Sequence, residues 1–246
     1  IGGNVATNAG GPRCLKYGVT GDYVLGLEVV VPGGHVLRLG GRTIKNVSGY
    51  DLMGLFIGSE GTLGVVTEIT VRLVPKPAAQ MTALAAFPRL ADACQAVGNI
   101  LQAGVVPLVT ELMDHATIRA VEDFKHLGLP TDVEALLLVA VDGDADTVAR
   151  EIAEVAAILQ QSGAREVRQA HSAQESEALW EGRRNLSPAI QRLARNKLGE
   201  DITVPRSRIP EMVARLGDIS RANDLPIIVY GHIGDGNLHP TILCDR

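Results

Sequence analysis

Large rings are scarce in this sequence. Aromatic residues make up 3%, with a single tryptophan, so a core has to be built from Val, Leu, Ile and Ala. Cysteine is scarce as well: Cys14, Cys94 and Cys244 are odd in number, far apart and without metal-ligand spacing. That excludes a disulfide framework and points to free thiols in a reducing, cytoplasmic compartment. Positive charge is not in excess, since 23 Lys and Arg face 28 Asp and Glu for a net charge of -5, and no basic block departs from that balance. Nucleic acid is therefore disfavoured as a partner. Long hydrophobic runs are missing too. The most apolar stretch, "ALLLVAV" at 135–141, is far shorter than the roughly 20 residues of a membrane helix. The opening "IGGNVATNAGG" has neither a basic leader nor an apolar signal core, and it starts on Ile1, so the sequence reads as beginning inside a larger protein.

What is present is an ordinary globular composition over 246 residues, enough for one large domain or two small ones. The first part, to about Leu73, is glycine-rich and strand-like. "VLGLEVVV" and "HVLRL" flank a "PGG" turn, and "LGVVTEITVRLV" supplies a further strand rich in β-branched residues. "PKP" at 75–77 stops it and is the expected domain boundary.

Beyond the boundary, strands alternate with helices. "MTALAAF" reads as a strand, followed by Leu90, Ala93, Cys94, Val97, Ile100 and Leu101 at helical spacing before Gly104. "ALLLVAV" is a second strand, with Asp144 as N-cap of a helix that ends at Gly163. A third unit starts at "DITVP", runs through the helix containing "EMVARLGDIS" and enters the strand "PIIVYGH". This pattern predicts an α+β second domain. Between the second and third units, Ser172 and Glu175 form a capping box, so Ala178, Leu179 and Trp180 sit on a helix expected to end near Pro188. A lone tryptophan at helical spacing reads as core.

Two segments carry candidate chemistry. "PIIVYGHIGDGNLHPTILC" has strand-like runs around Asp235-Gly236, a strong two-residue hairpin signal. A loop of those two residues would set His232 directly opposite His239, close enough for both imidazoles to hold one divalent metal. The alternative is a turn with two half-exposed histidines. No third ligand is evident nearby, since 240–246 contain Asp245 but no Glu or His. The second segment type is the glycine-rich loop: "GGNVATNAGG" and "GSEGTLGVVTE" fit polar-ligand binding and glycine-rich turns equally well, and neither matches a standard nucleotide signature.

"IGGNVATNAGG", "RCLKYGVTGDYVLGLEVVVPGG", "KNVSGYDLMGLFIGSEGTLGVVTEITVRLVPKP" and "YGHIGDGNLH", in this order over nearly the whole chain, resemble the FAD-linked 2-hydroxyacid oxidases and dehydrogenases. That family holds the glycolate oxidase flavin subunit, the D-lactate dehydrogenases and the D-2-hydroxyglutarate dehydrogenases. The resemblance implies an α+β chain. Residues 1–77 would form the second part of a vanillyl-alcohol-oxidase-type FAD domain, and 78–246 a substrate domain with an antiparallel sheet covered by helices.

By the same resemblance, FAD contacts fall on Gly2, Gly3, Thr7, Asn8, Gly10 and Gly11, and on Glu60, Gly61, Gly64, Val65 and Val66. His232 and His239 match the metal ligands, with zinc, manganese or iron as the ion, and Asn237 falls near the substrate. Arg183 matches the arginine that holds the substrate carboxylate, although a solvated helix charge is the competing reading and Arg184 stands beside it. "ELMD" at 111–114 also looks family-like, with no role legible in it.

The family pattern also includes an upstream loop that cradles the FAD pyrophosphate and a later Glu-His-Gly segment that completes the metal site. Neither lies in these residues, so the sequence reads as a fragment truncated at both ends, with impaired FAD binding and turnover on its own. The implied reaction is oxidation of a small D-2-hydroxy acid to the 2-oxo acid by hydride transfer to FAD. A His-bound metal would assist, and an iron–sulfur or other electron-transfer subunit, through which the protein would reach the membrane, would serve as partner. Two competing readings are a non-catalytic remnant of such an enzyme and a flavin-independent metal hydrolase. The second leaves the glycine loops unexplained.

Overall fold

The strand signals of the first part fold largely where the sequence put them. The computed structural model describes residues 1–245, and the chain divides between Lys76 and Pro77 into two compact units. The first contains helices α1 (Gly2–Ala6) and α2 (Cys14–Tyr17), strands β1 (Val24–Val31) and β2 (His35–Gly40), helix α3 (Met53–Phe56) and strand β3 (Val65–Val71). The sheet order is β2-β1-β3, antiparallel throughout. β1 takes the centre because Val24, Leu27 and Val29 are buried, together with Val5 and Phe56, in a small core. The "PGG" turn closes β1 onto β2 with Gly33 and Gly34 at φ +94° and +81°, a left-handed pair that glycine adopts without strain.

One expectation fails here. "GGNVATNAGG" is not a loop throughout, because its first half is the short helix α1. The amides of Val5 and Thr7 return to the carbonyls of Ile1 and Gly3, and the Thr7 hydroxyl also donates to Gly3 O at 3.0 Å. Asn8, at φ +47°, then turns the chain out of the helix.

The second unit contains β4 (Ala79–Phe87), α4 (Leu90–Gln102), β5 (Val109–Asp114), α5 (His115–Lys125), β6 (Ala135–Gly143), α6 (Ala145–Gln161) and β7 (Glu166–Gln169). It continues with α7 (Ala173–Arg184), α8 (Leu186–Ile190), β8 (Asn196–Gly199), β9 (Ile202–Thr203), α9 (Ile209–Asn223), β10 (Ile227–His232) and β11 (Asn237–Cys244). The strands form one antiparallel sheet in the order β7-β4-β6-β5-β10-β11-β8, with β9 also pairing β11. One face carries Ala83, Leu112, Leu137, Val139, Val229 and Leu238 against α4, α6 and α9. The other carries Leu84, Met113, Leu136, Leu138, Ile228 and Leu243 against α5, α7 and α8. Burial on both faces explains why "ALLLVAV" reads as an unbroken apolar run rather than an alternating one.

Caps set where the helices start. Asp144 accepts from Thr147 N at 3.0 Å, as expected of the α6 N-cap. Ser172 caps α7 by accepting from Glu175 N at 3.1 Å, whereas the Glu175 carboxylate takes the amide of His171 rather than that of Ser172, so the box closes one residue early. Helix α7 also ends sooner than Pro188. It stops at Arg184, and α8 begins at Leu186 with Pro188 in its first turn, where a missing N–H costs nothing. Trp180 packs on the second core face, and its indole N–H donates to Thr82 Oγ1 at 3.3 Å. Thr82, itself buried on β4, is 2.7 Å from Ser176 Oγ, so a single hydroxyl holds α7 at two points. Among the described residues no helix is long and apolar enough to cross a membrane.

Asp114 ends β5 and begins α5. Its carboxylate accepts from Thr117 N at 2.8 Å and, across the sheet, from Val229 N at 2.6 Å. Burial pushes its carboxyl above the ordinary aspartate range, against the lowering effect of those hydrogen bonds. Asp114→Ala removes the cap and strands the Val229 amide, which should cost about 2–4 kcal/mol; a urea midpoint equal to wild type would refute this. Thr82→Val should cost roughly 1–3 kcal/mol by leaving the indole N–H without its acceptor. Because Trp180 is the only tryptophan, a shift in its emission should accompany that loss.

Candidate functional site

The polar residues of the second unit converge on the face that α7 covers. Cross-strand register places Glu111 of β5 opposite His232 of β10, and His232 opposite Asn237 of β11. One row further along, Tyr230 lies opposite both Met113 and His239. Opposed residues share a face of the sheet. Glu111 is therefore a carboxylate set into an apolar face, and two donors meet it there. Arg183, near the end of α7, donates Nε to Oε2 at 2.6 Å, and Nδ1 of His232 bonds to Oε1.

Glu111 is 1% exposed, against 21% for Arg183 and 13% for His232, so the carboxylate lies beneath the two groups that reach solvent. Burial pushes the Glu111 carboxyl up; the hydrogen bond from His232 and the charges of Arg183 and His232 outweigh it, and the acid sits below the usual glutamate range. Arg183 also lies 5.6 Å from the centroid of the Tyr230 ring, a cation–π distance. Arg184, by contrast, pairs with Glu177 on its own helix at 2.6 Å in an exposed setting. Of the two arginines, Arg183 is the one that turns inward.

The two histidines meet, but not as a two-residue hairpin would bring them together. The register is His232 to Asn237 and Tyr230 to His239, so the loop contains the four residues Ile233, Gly234, Asp235 and Gly236. Ile233 does not pair with Leu238: its amide donates to Thr110 O of β5 at 3.1 Å, and Leu238 pairs with Gly231 instead. At the other end of the loop, Val204 N donates to Gly236 O at 3.0 Å. Gly236 has φ +88°, and a Cβ there would come within 2.1 Å of Val204 O, so the turn is drawn against its neighbours on both sides.

His232 and His239 are thus diagonal neighbours on one face. Their ring centroids are 4.9 Å apart, edge to face. Burial, followed by the positive field of His232, holds the His239 imidazole below its ordinary pKa and favours the neutral ring. Nδ1 of His239 lies 3.6 Å from Asp201 Oδ1, and Asp201 also accepts from Nδ2 of Asn237. With Nδ1 of His232 bonded to Glu111 and Nδ1 of His239 near Asp201, no described residue takes Nε2 of either ring, an arrangement that resembles the one outer carboxylates give to metal-binding histidines. Among the described residues no group of three His, Cys, Asp or Glu side chains could hold a metal. Asp245 lies elsewhere, accepting from Arg195 N at 2.8 Å.

The sequence marks "ELMD" as family-like but gives Glu111 no role. The available signal was a single carboxylate inside the apolar run "VVPLVTELM", which calls for a buried partner.

In the first unit, the two glycine motifs are tied together. Gly58 N donates to Val5 O at 2.9 Å and Glu60 N to Ala6 O at 2.8 Å, which joins α1 to the turn before β3. Asn8 reaches Gly21 N at 2.8 Å through its side chain. Gly2, Gly3, Gly11 and Gly61 face open space, so packing within this unit does not account for their lack of a side chain. Gly10 and Gly64 do pack closely, against Cys14 Sγ and against Val29 and Val30. Thr7, Glu60 and Val65 are exposed, and Val66 is half-buried against the small core.

Comparison with known proteins matches this layout. The family described as "FAD linked oxidases, C-terminal domain" covers residues 76–246, and "FAD binding domain" covers 1–40. The chain is 47% identical over 245 residues to the glycolate oxidase subunit GlcD of Bacillus subtilis, covering 100% of this chain and 52% of the relative. It is 35% identical over 250 residues to a D-lactate dehydrogenase of Anaerostipes hadrus, covering 97% of this chain and 52% of that protein. The chain thus spans about half the length of the curated relatives it matches. Among solved structures, an alkyldihydroxyacetonephosphate synthase superposes with a TM-score of 0.74 at 21% identity, over 98% of this chain and 50% of that one, and shares the vanillyl-alcohol-oxidase type of fold. A chain whose second unit is matched from end to end, and whose first carries the paired glycine motifs, belongs to the FAD-linked oxidase family.

Proposed function

We propose that the protein oxidises a small D-2-hydroxy acid, of the glycolate or D-lactate type, to the 2-oxo acid with FAD as acceptor. The observation that carries this reading is the meeting of one inward arginine and two neighbouring histidines on a single sheet face, above a buried carboxylate. An α-hydroxy acid offers the complementary groups within two carbons: a carboxylate for the arginine and a hydroxyl for the histidine pair.

Two neighbouring imidazoles, with ring centroids 4.9 Å apart, are of the type that holds a divalent cation such as zinc, manganese or iron, and His232 and His239 would supply two of its ligands. Bound there, the ion would polarise the 2-hydroxyl. FAD, when bound, supplies the two-electron acceptor, and Gly2, Gly3, Thr7, Asn8, Gly10, Gly11, Glu60, Gly61, Gly64, Val65 and Val66 are the residues proposed to meet it. This chain's own contribution is orientation. Arg183 spends Nε on Glu111 and keeps its two terminal nitrogens, whose spacing suits a carboxylate. His232 and His239 fix the hydroxyl end, and Asn237, pinned by Asp201, borders the same face. The Bacillus relative is named a subunit, which supports a partner protein that carries the electrons onward.

The test is anaerobic mixing of the flavin-loaded protein with glycolate, D-lactate and L-lactate. At least one D-2-hydroxy acid, or achiral glycolate, should bleach the flavin absorbance; bleaching by none would refute the reading. His232→Ala should retain flavin and lose the bleaching. Arg183→Lys, which keeps the charge but loses the planar fork, should lower kcat/KM by about 10- to 100-fold. Equal values for that variant and wild type would remove Arg183 from the substrate site.

A further inference from the structure

The stretch "ELMD" supplies two buried acids, and only Asp114 is explained by the fold. Among the described residues, Glu111 caps no helix and bonds no backbone amide. Its two oxygens go to two side chains from distant parts of the chain, Arg183 on α7 and His232 on β10. An apolar sheet face does not need such a group for its own stability, since a buried charge costs solvation that pairing only offsets. What the carboxylate does impose is a choice of atoms. A neutral ring that donates Nδ1–H to a carboxylate presents Nε2 as a lone pair, and a guanidinium held through Nε presents its terminal nitrogens.

We propose that Glu111 is the positioning residue of the site: by accepting from Nδ1 of His232 and from Nε of Arg183, it fixes which nitrogens of both side chains face the 2-hydroxy acid. The inference rests on the proposed location of that substrate. At 1% exposure, Glu111 is itself out of reach of a ligand on that face. It also sets a negative charge beneath Arg183 and His232, and so permits a carboxylate anchor and a cation site within one pocket. His239 receives weaker help. Its carboxylate, Asp201, is 71% exposed and 3.6 Å away, so the buried restraint acts on His232.

The measurement is a long-range proton–nitrogen spectrum of the chain labelled with 15N-histidine and 15N-arginine, followed by a Zn2+ titration of the same sample. In the wild-type chain His232 should carry its proton on Nδ1 and none on Nε2, and Arg183 should show a slowly exchanging Nε–H. Glu111→Gln, checked for folding by circular dichroism, should lose both signatures and bind zinc roughly 10- to 100-fold more weakly. A wild-type His232 protonated on Nε2 overturns the proposal, and needs no variant to do so. A folded Glu111→Gln chain with the wild-type tautomer and zinc affinity within twofold overturns it as well. Zinc binding that His232→Ala and His239→Ala leave unchanged counts against the metal reading of the site; the tautomer and the Arg183 signal decide the role of Glu111 separately.

Discussion

A carboxylate buried in a sheet face has to be satisfied, and the way Glu111 is satisfied organises the second unit. Its partners are a helix residue and a strand residue, so the register of β5 against β10 and the seating of α7 have to agree before both bonds can form. The remaining features near the site serve that agreement. Thr82 holds α7 through Ser176 and Trp180, and Asp114 bonds the Val229 amide and thereby pins β10 beside β5. The bond that fixes register lies three residues from the one that fixes the site.

The sheet also divides labour between its faces. One is packed against α4, α6 and α9 and is apolar along its length. The other begins as an equally apolar contact with α5, α7 and α8 and gives way to polar residues toward the β10–β11 turn. That transition coincides with the point where Ile233 leaves the ladder for β5 and the loop widens. A polar patch bordered by close-packed core is a setting in which hydrogen bonds are strong and wrongly placed charges are costly.

Much of this was legible in the sequence because local rules governed it. The cap at Asp144, the periodicity of α4 and α6, the strands around "PGG" and the family motifs all follow from neighbours within a few residues. What was not legible depended on distant partners. The hairpin register is one such case: Asp-Gly argues for a two-residue loop, while Thr110 and Val204, far away in sequence, determine where the ladder stops. Helix α7 was extended too far because Pro188 reads as a terminator, although it occupies the first turn of a new helix. Arg183 and Arg184 are indistinguishable by residue type, and only the location of Glu111 separates them.

The span between Glu111 and His232, 121 residues along the chain, has a kinetic consequence. Closing a loop of that length costs entropy that only non-local contacts repay, and topologies dominated by such contacts fold slowly. In the nascent chain the β4–α4 and β6–α6 segments emerge before β10. The histidine pair is completed only when the β10–β11 hairpin inserts between β5 and β8, so this face of the sheet is a product of long-range assembly rather than of local nucleation.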